Sequence, residues 1–150
     1  MHQVFVSIGS NIDPEENIEI AKGFLNKLFD CEYSSFYKTN AEGFEGNYFI
    51  NFVVGFKTNL LASELQKSLK QIEQKMGRTE NQKGMSNRVI DLDMILYGDH
   101  IFQEDDLDIP SKDIEDYLFV LEPLAEIAGE LLHPVSKTPF SELLKQLKSG

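Results

Sequence analysis

An α+β fold, with an antiparallel sheet, helices on one face and a helical C-terminal tail, is what this sequence predicts. Three observations carry that reading. Val4, Val6 and Ile8 alternate with Phe5 and Ser7, the period of a strand with one face in a core. Leu65, Leu69, Ile72 and Met76 recur at helical spacing. Tyr48 to Phe56 is dense in Phe, Ile and Val, as an interior strand is when both of its faces are covered.

Taken in order, the first strand is expected to end at Gly9-Ser10-Asn11. A helix then opens with Asp13 as N-cap, Pro14 at the first helical position and Glu16 closing a capping box. Its buried stripe is Ile18, Ala21, Leu25 and Leu28. Glu32 to Lys38 reads as a strand, Thr39 to Gly46 as a loop, and Tyr48 to Phe56 as the interior strand. The Leu65–Met76 helix stops at Gly77. Thr79 to Asn87 is a polar loop, and Val89 to Tyr97 returns to strand before Gly98-Asp99. An acidic stretch, Glu104 to Asp116, follows. Pro123 is expected to open a short helix through Ala128, and Pro139 a last one with Phe140, Leu143, Leu144 and Leu147 inward. The order β-α-β-β-α-β plus a helical tail is the ferredoxin-like split β-α-β arrangement, whose second sheet face is expected to be open for a ligand.

Composition limits what such a fold can do. The chain has 150 residues, 41% of them hydrophobic, and residues 1–150 read as one domain. The single cysteine, Cys31, cannot close an internal disulfide, and no Cys/His cluster is spaced for zinc. No apolar run approaches the roughly 18 residues of a spanning helix, and Met1 to Phe5 lacks signal-peptide character, so a cytoplasmic address is expected. A net charge of −11 argues against nucleic acid or an anionic membrane as partner. A phosphorylated ligand would need metal ions or a local basic patch.

Arg88-Val89-Ile90-Asp91-Leu92-Asp93-Met94-Ile95-Leu96 supplies the sharpest chemical signal. Residues two apart on a strand share a face, with Cα atoms about 6.5–7 Å apart. Asp91 and Asp93 therefore stand side by side, where a divalent cation relieves their repulsion and can bridge them to a polyphosphate. Arg88 offers a charge to a phosphate oxygen. The plainer alternative is that the two acids only deter edge pairing of the strand. Between Gln71 and Ile90 the basic Lys75, Arg78, Lys83 and Arg88 outnumber Glu73 and Glu80, so a locally positive stretch precedes the aspartates in a chain of net charge −11. Lys75 and Arg78 also suit a helix C-terminus, whatever else they bind. Neither a P-loop nor a dinucleotide fingerprint is present, and the acidic helix start at Asp13, Glu15 and Glu16 would repel phosphate. His2, His100 and His133 belong to no motif and read as surface or core. Asn51, an amide in the apolar run Phe49 to Val53, needs polar partners that a bound ligand could supply.

Several stretches, in matching order and spacing, carry a resemblance. They are Ile8-Gly9-Ser10-Asn11, Ser34 to Thr39, Phe49-Ile50-Asn51, Gln71-Ile72-Glu73 with Gly77-Arg78, Arg88 to Gly98, Ile109-Pro110, and Phe119 to Ala128. Together they resemble the 6-hydroxymethyl-7,8-dihydropterin pyrophosphokinase family of folate biosynthesis. The resemblance implies transfer of pyrophosphate from ATP to the pterin hydroxymethyl group, with release of AMP. It implies Asp91, Asp93 and Arg88 as catalytic residues, with the two aspartates holding two Mg2+ ions. It implies ATP contacts from Glu73, Arg78, Arg88 and Met94, with Lys83 and Lys112 replacing basic positions that this chain lacks. Thr39, Phe49, Asn51 and Phe119 would bind the pterin. The chain departs from the family pattern at Glu80, Met85, Ser111 and Tyr117, where basic, aromatic, His and Arg residues are usual. Small-molecule substrates are thus expected, while protein partners are left open. Two other readings fit the residues: a member that binds a pterin-like ligand or another nucleotide without the transfer, and an acidic α+β interaction module.

Overall fold

The structure, a computed structural model, describes residues 1–40, 47–78, 89–104 and 106–150. Its elements are β1 (His2–Ser10), α1 (Pro14–Leu28), β2 (Glu32–Tyr33), β3 (Tyr37–Thr39), β4 (Phe49–Thr58), α2 (Ala62–Lys75), β5 (Asp91–Tyr97), β6 (Phe102–Glu104), β7 (Leu107–Ile109), α3 (Asp113–Asp116), α4 (Leu118–Ala128) and α5 (Phe140–Ser149). The main sheet runs β2-β4-β1-β5, with β3 also on β4, and every pairing is antiparallel. A short β6–β7 hairpin stands apart from it. The long apolar strands, β1 and β4, occupy the middle, as their composition requires.

Side-chain alternation divides the sheet into two faces. Val4, Val6 and Ile8 of β1, Phe52, Val54 and Phe56 of β4, and Leu92 and Met94 of β5 join Ile18, Ala21 and Leu25 of α1 and Leu65, Leu69 and Ile72 of α2 in one core. The second face does not stay open throughout. Phe5, Val53, Ile95 and Leu96 are covered by Ile114, by Val120, Leu121 and Leu124 of α4, and by Phe140 of α5. A register shift between Phe5 and Val6 lets consecutive Ile95 and Leu96 both serve this core. The helical tail thus closes the part of that face where β1 begins and β5 ends.

Local differences from the sequence reading have physical causes. β1 runs through Gly9 and Ser10, because Ser10 still pairs with Ile50 and its buried hydroxyl donates to the Val89 carbonyl at 2.6 Å. Asp13 does not cap α1 through its side chain. It adopts a left-handed conformation (φ 40°) that short polar residues tolerate, and so turns the chain into Pro14. Leu28, expected inside, is 56% exposed because α1 ends there and Phe29 takes the core position instead. The Glu32–Lys38 strand is broken at Ser34, whose hydroxyl accepts the Val53 N–H at 2.9 Å in place of a backbone carbonyl. Pro123 lies inside α4 and does not open it. It costs one N–H, the donor the Phe119 carbonyl would otherwise receive, while burial of Val120, Leu121, Leu124 and Ala128 holds the helix. The acidic stretch is tied down by buried Leu107, Ile109 and Ile114, with Glu104, Asp106, Asp108, Glu115 and Asp116 exposed.

Candidate active site

The paired aspartates open β5, both half-buried, and their partners across the sheet define the site. Asp91 stands opposite Gly9, which stands opposite Asn51, which stands opposite Tyr37. Two residues further along, on the same face, Asp93 lies opposite Ser7 and Ser7 opposite Val53. Antiparallel neighbours in register share a face, so Asp91, Gly9 and Asn51 form one row beyond the tail's core, while the row of Asp93 runs through Ser7 to Val53 at that core's margin. With strands about 4.8 Å apart, Asp91 and Asn51 are separated by about 10 Å.

Gly9 makes that row possible. A Cβ there would stand 2.9 Å from Asn51 Oδ1 and 3.8 Å from the Phe49 ring. Asn51 is 6% exposed and donates through Nδ2 to Thr39 Oγ1 at 2.8 Å. Phe49, two residues earlier, shares its face and pairs with Thr39. Phe119 sits near the start of α4, half-buried, with its ring stacked on Tyr117 at 4.8 Å between centroids. Thr39 and Phe119 line one cavity of about 420 Å³, together with Tyr117 and Leu147. Asn51 and Phe49 lie beside that cavity in the strand register and do not line it.

At the acidic end, three residues are wired together. Gly77 (φ 91°) ends α2 in a Schellman turn: its N–H bonds to the Gln74 carbonyl and that of Arg78 to the Glu73 carbonyl, each at 3.0 Å. This turn brings Arg78 back over its own helix. Its Nη1 donates to Glu73 Oε2 at 2.5 Å and to Asp91 Oδ1 at 2.8 Å. Glu73 Oε2 also accepts the Leu92 N–H at 2.7 Å, so a single carboxylate fixes both the arginine and the β5 backbone between the aspartates. Burial pushes the Glu73 carboxyl above its usual range, against the lowering effect of the Leu92 N–H and Arg78. A second cavity, about 320 Å³, is lined by Asp93, Met94, Gln66 and Lys112. Asp106, Asp108 and Asp113 line it too, so Lys112 is the one cation among its described lining residues.

Residues 5–129 match the family model described as 7,8-dihydro-6-hydroxymethylpterin-pyrophosphokinase (HPPK). The chain belongs to the HPPK family. A 2-amino-4-hydroxy-6-hydroxymethyldihydropteridine pyrophosphokinase of Aquifex aeolicus is 36% identical over 95% of this chain and 90% of its own length. The Haemophilus influenzae protein of the same name is 34% identical over 97% of this chain and 93% of its own. Among solved structures, wild-type Plasmodium falciparum HPPK-DHPS with SDX-DHP superposes with a TM-score of 0.74 at 14% identity. The match covers 99% of this chain but 44% of that one, and it establishes the shared α+β fold.

Within this HPPK chain, the structure gathers the expected residues into two groups, one at each end of the Asn51–Asp91 row. Asp91, Asp93, Glu73, Arg78, Met94 and Lys112 lie at the β5 end; Thr39, Phe49, Asn51 and Phe119 lie at the β3–β4 end. Arg88 and Lys83, with the Thr79–Asn87 loop and most of the Thr39–Gly46 loop, lie outside the described residues. The resemblance gives Glu73 a place near the nucleotide; in the structure its carboxylate anchors Arg78 and β5. Sequence reasoning gave Gly9 no role, since only the register shows what a side chain there would strike. Tyr117 was noted only as a departure from the family, and its stacking under Phe119 emerges from the fold.

Proposed function

We propose that this chain transfers the pyrophosphoryl group of ATP to the hydroxymethyl oxygen of 6-hydroxymethyl-7,8-dihydropterin, the reaction after which its family is named. The observation that carries this reading is the row Asn51–Gly9–Asp91, which sets a polar amide and a paired-acid strand on one face, separated by a residue without a side chain. The pterin lies at the Asn51 end, its edge read by Asn51 and Thr39 and its rings against Phe49 and Phe119. Aromatic walls with a few placed polar groups suit a flat heterocycle. ATP lies toward Asp93, Met94 and Lys112, with residues of the basic stretch around Arg78, Lys83 and Arg88 meeting its phosphates. The hydroxymethyl oxygen attacks the β-phosphorus, the bond from that phosphorus to the bridging oxygen breaks, and AMP leaves with that oxygen. The hydroxyl proton passes to solvent.

Magnesium fits the donor set. Asp91 and Asp93 offer hard carboxylate oxygens on one face, and among the described residues no group of three or more His, Cys, Asp or Glu converges. An ion held by these two carboxylates would take its remaining ligands from phosphates and water, as Mg2+ usually does and Zn2+ does not. Two such ions, held by Asp91 and Asp93, would supply charge neutralisation across the triphosphate. The chain's own part is to fix the acids, which the Glu73 bonds to Arg78 and the Leu92 N–H accomplish. Residues 1–150 act as one domain in this reading. No helix of the described residues is long and apolar enough to cross a membrane, and Cys31 is a free thiol; a cytoplasmic location goes with the reading.

Chromatographic detection of AMP tests it. Protein incubated with ATP, MgCl2 and the hydroxymethyl pterin is expected to form AMP and pterin diphosphate in equal amounts, and neither when the pterin or Mg2+ is omitted. Calorimetric binding of both substrates without AMP would overturn the transfer and leave a ligand-binding protein. Binding of neither would leave an interaction module.

A further inference from the structure

The two walls of the Thr39–Phe119 cavity come from separate elements, an edge strand of three residues and a helix from the tail. Among the described residues, strand β3 pairs with β4 on one side only. So short an edge strand is weakly held by its ladder. Beyond the ladder and the Asn51–Thr39 bond, it is restrained by Glu126 of α4. Glu126 Oε2 accepts the Ser35 N–H at 2.8 Å and the Ser35 hydroxyl at 3.0 Å, and Oε1 accepts the Tyr37 hydroxyl at 2.6 Å. Three donors of one short segment converge on one carboxylate.

The spacing ties this clamp to the cavity. Phe119 and Glu126 are seven residues apart, so they lie on one stripe of α4, about 10 Å from each other. Tyr37 and Thr39 are two apart, so they share a face of β3. Helix α4 therefore runs along β3 on matching lines: Glu126 bonds Tyr37, and Phe119 and Thr39 line the same cavity. Tyr37 is also the strand partner of Asn51, whose amide bonds to Thr39. We infer that Glu126 is a positioning residue for the pterin end of the site: its carboxylate docks β3 on α4 and so sets the distance between Thr39 and Asn51 on one wall and Phe119 on the other. The inference rests on the pterin-binding reading given above. Ionisation fits the role, since the Tyr37 hydroxyl bond holds the Glu126 carboxyl below its usual range, and burial with Glu126 pushes the Tyr37 phenol up to about 12.

The test compares wild type with Glu126→Ala, Glu126→Gln and Tyr37→Phe, reading the pterin Kd by calorimetry and the KM for pterin and for ATP separately. Glu126→Ala is expected to weaken pterin binding roughly threefold to tenfold, the span of an exposed charge-assisted cluster, with the KM for ATP unchanged. Glu126→Gln keeps an acceptor and is expected to recover most of the loss, and Tyr37→Phe to show part of it. Unchanged pterin affinity in a folded Glu126→Ala overturns the inference, as does an equal rise in both KM values, which would mark general destabilisation. If Glu126→Ala does not fold, Glu126→Gln and Tyr37→Phe decide the matter: pterin affinity unchanged in both overturns it. Wild type that binds pterin without forming AMP removes the transfer reaction while the calorimetric comparison still decides the role of Glu126. Wild type that binds no pterin overturns both.

Discussion

Gly9 lacks the one atom that would push Asn51 away from the row it shares with Asp91. In Gly9→Ala the new methyl group meets Asn51 Oδ1 at 2.9 Å, and Asn51 cannot retreat easily, because it is held by Thr39 and is nearly buried. Pterin affinity is expected to fall about tenfold, equivalent to about 1.4 kcal/mol, while ATP affinity measured by calorimetry stays near wild type. Equal loss for both ligands would mean that the row does not divide the site. Asp93→Ala addresses the other end. It removes one of the paired acids without touching the Glu73–Arg78–Asp91 bonds, so the fold is retained and AMP formation is expected to drop by more than the roughly 10–100-fold that follows loss of a residue supporting a metal ligand. A rate within tenfold of wild type would sink its assignment. The aspartate pair was legible in the sequence because strand period alone puts residues 91 and 93 on one face. Gly9 was not, because its role depends on which residue of β4 stands opposite, and register is a property of two strands.

At the scale of elements, the end of α2 does more than stop a helix. The Schellman turn needs a left-handed residue, and Gly77 supplies it at φ 91°, with no atom of the described residues within 4 Å of where a Cβ would stand. Ala at that position fits the space but not the conformation, at a cost of about 1–2 kcal/mol. Gly77→Ala should therefore lower the urea midpoint with the m-value unchanged, and should weaken ATP binding because Arg78 is delivered to Asp91 by that turn. Stability loss with no change in ATP affinity would separate the turn from the site. The stop itself was readable from a glycine after a helical stripe; its aim was not, since Glu73 and Asp91 meet only in three dimensions. The same limit governs Ser34, whose side chain replaces a backbone acceptor for Val53, and Pro123, whose missing donor is outweighed by the buried face of α4. In each, a tertiary partner overrides a local preference.

For the molecule as a whole, the decisive event is the folding of the tail onto the second sheet face, which leaves the Asn51–Asp91 row open beside it. Helix periodicity shows that a tail buries one stripe but not which surface it finds, so the two-sided core was beyond the sequence. His133 pins that tail together. Its Nδ1 accepts the Val135 N–H at 3.1 Å, its Nε2 lies 3.2 Å from Glu115 Oε1 of α3, and its ring meets Phe140 of α5 edge-on. Burial holds its pKa below the usual 6.5, despite the raising effect of Glu115. A base depressed in the folded state contributes its full stability above the unfolded value and loses it as pH falls below about 6.5, because the unfolded chain takes up the proton first. His133→Asn keeps an acceptor for the Val135 N–H and removes the titration. Urea unfolding at about pH 7.5 and pH 5.5 isolates the effect, since the many carboxylates titrate alike in both proteins. Wild type is expected to lose more stability than His133→Asn between those two pH values, and parallel losses would show that the imidazole is not what pins the tail together.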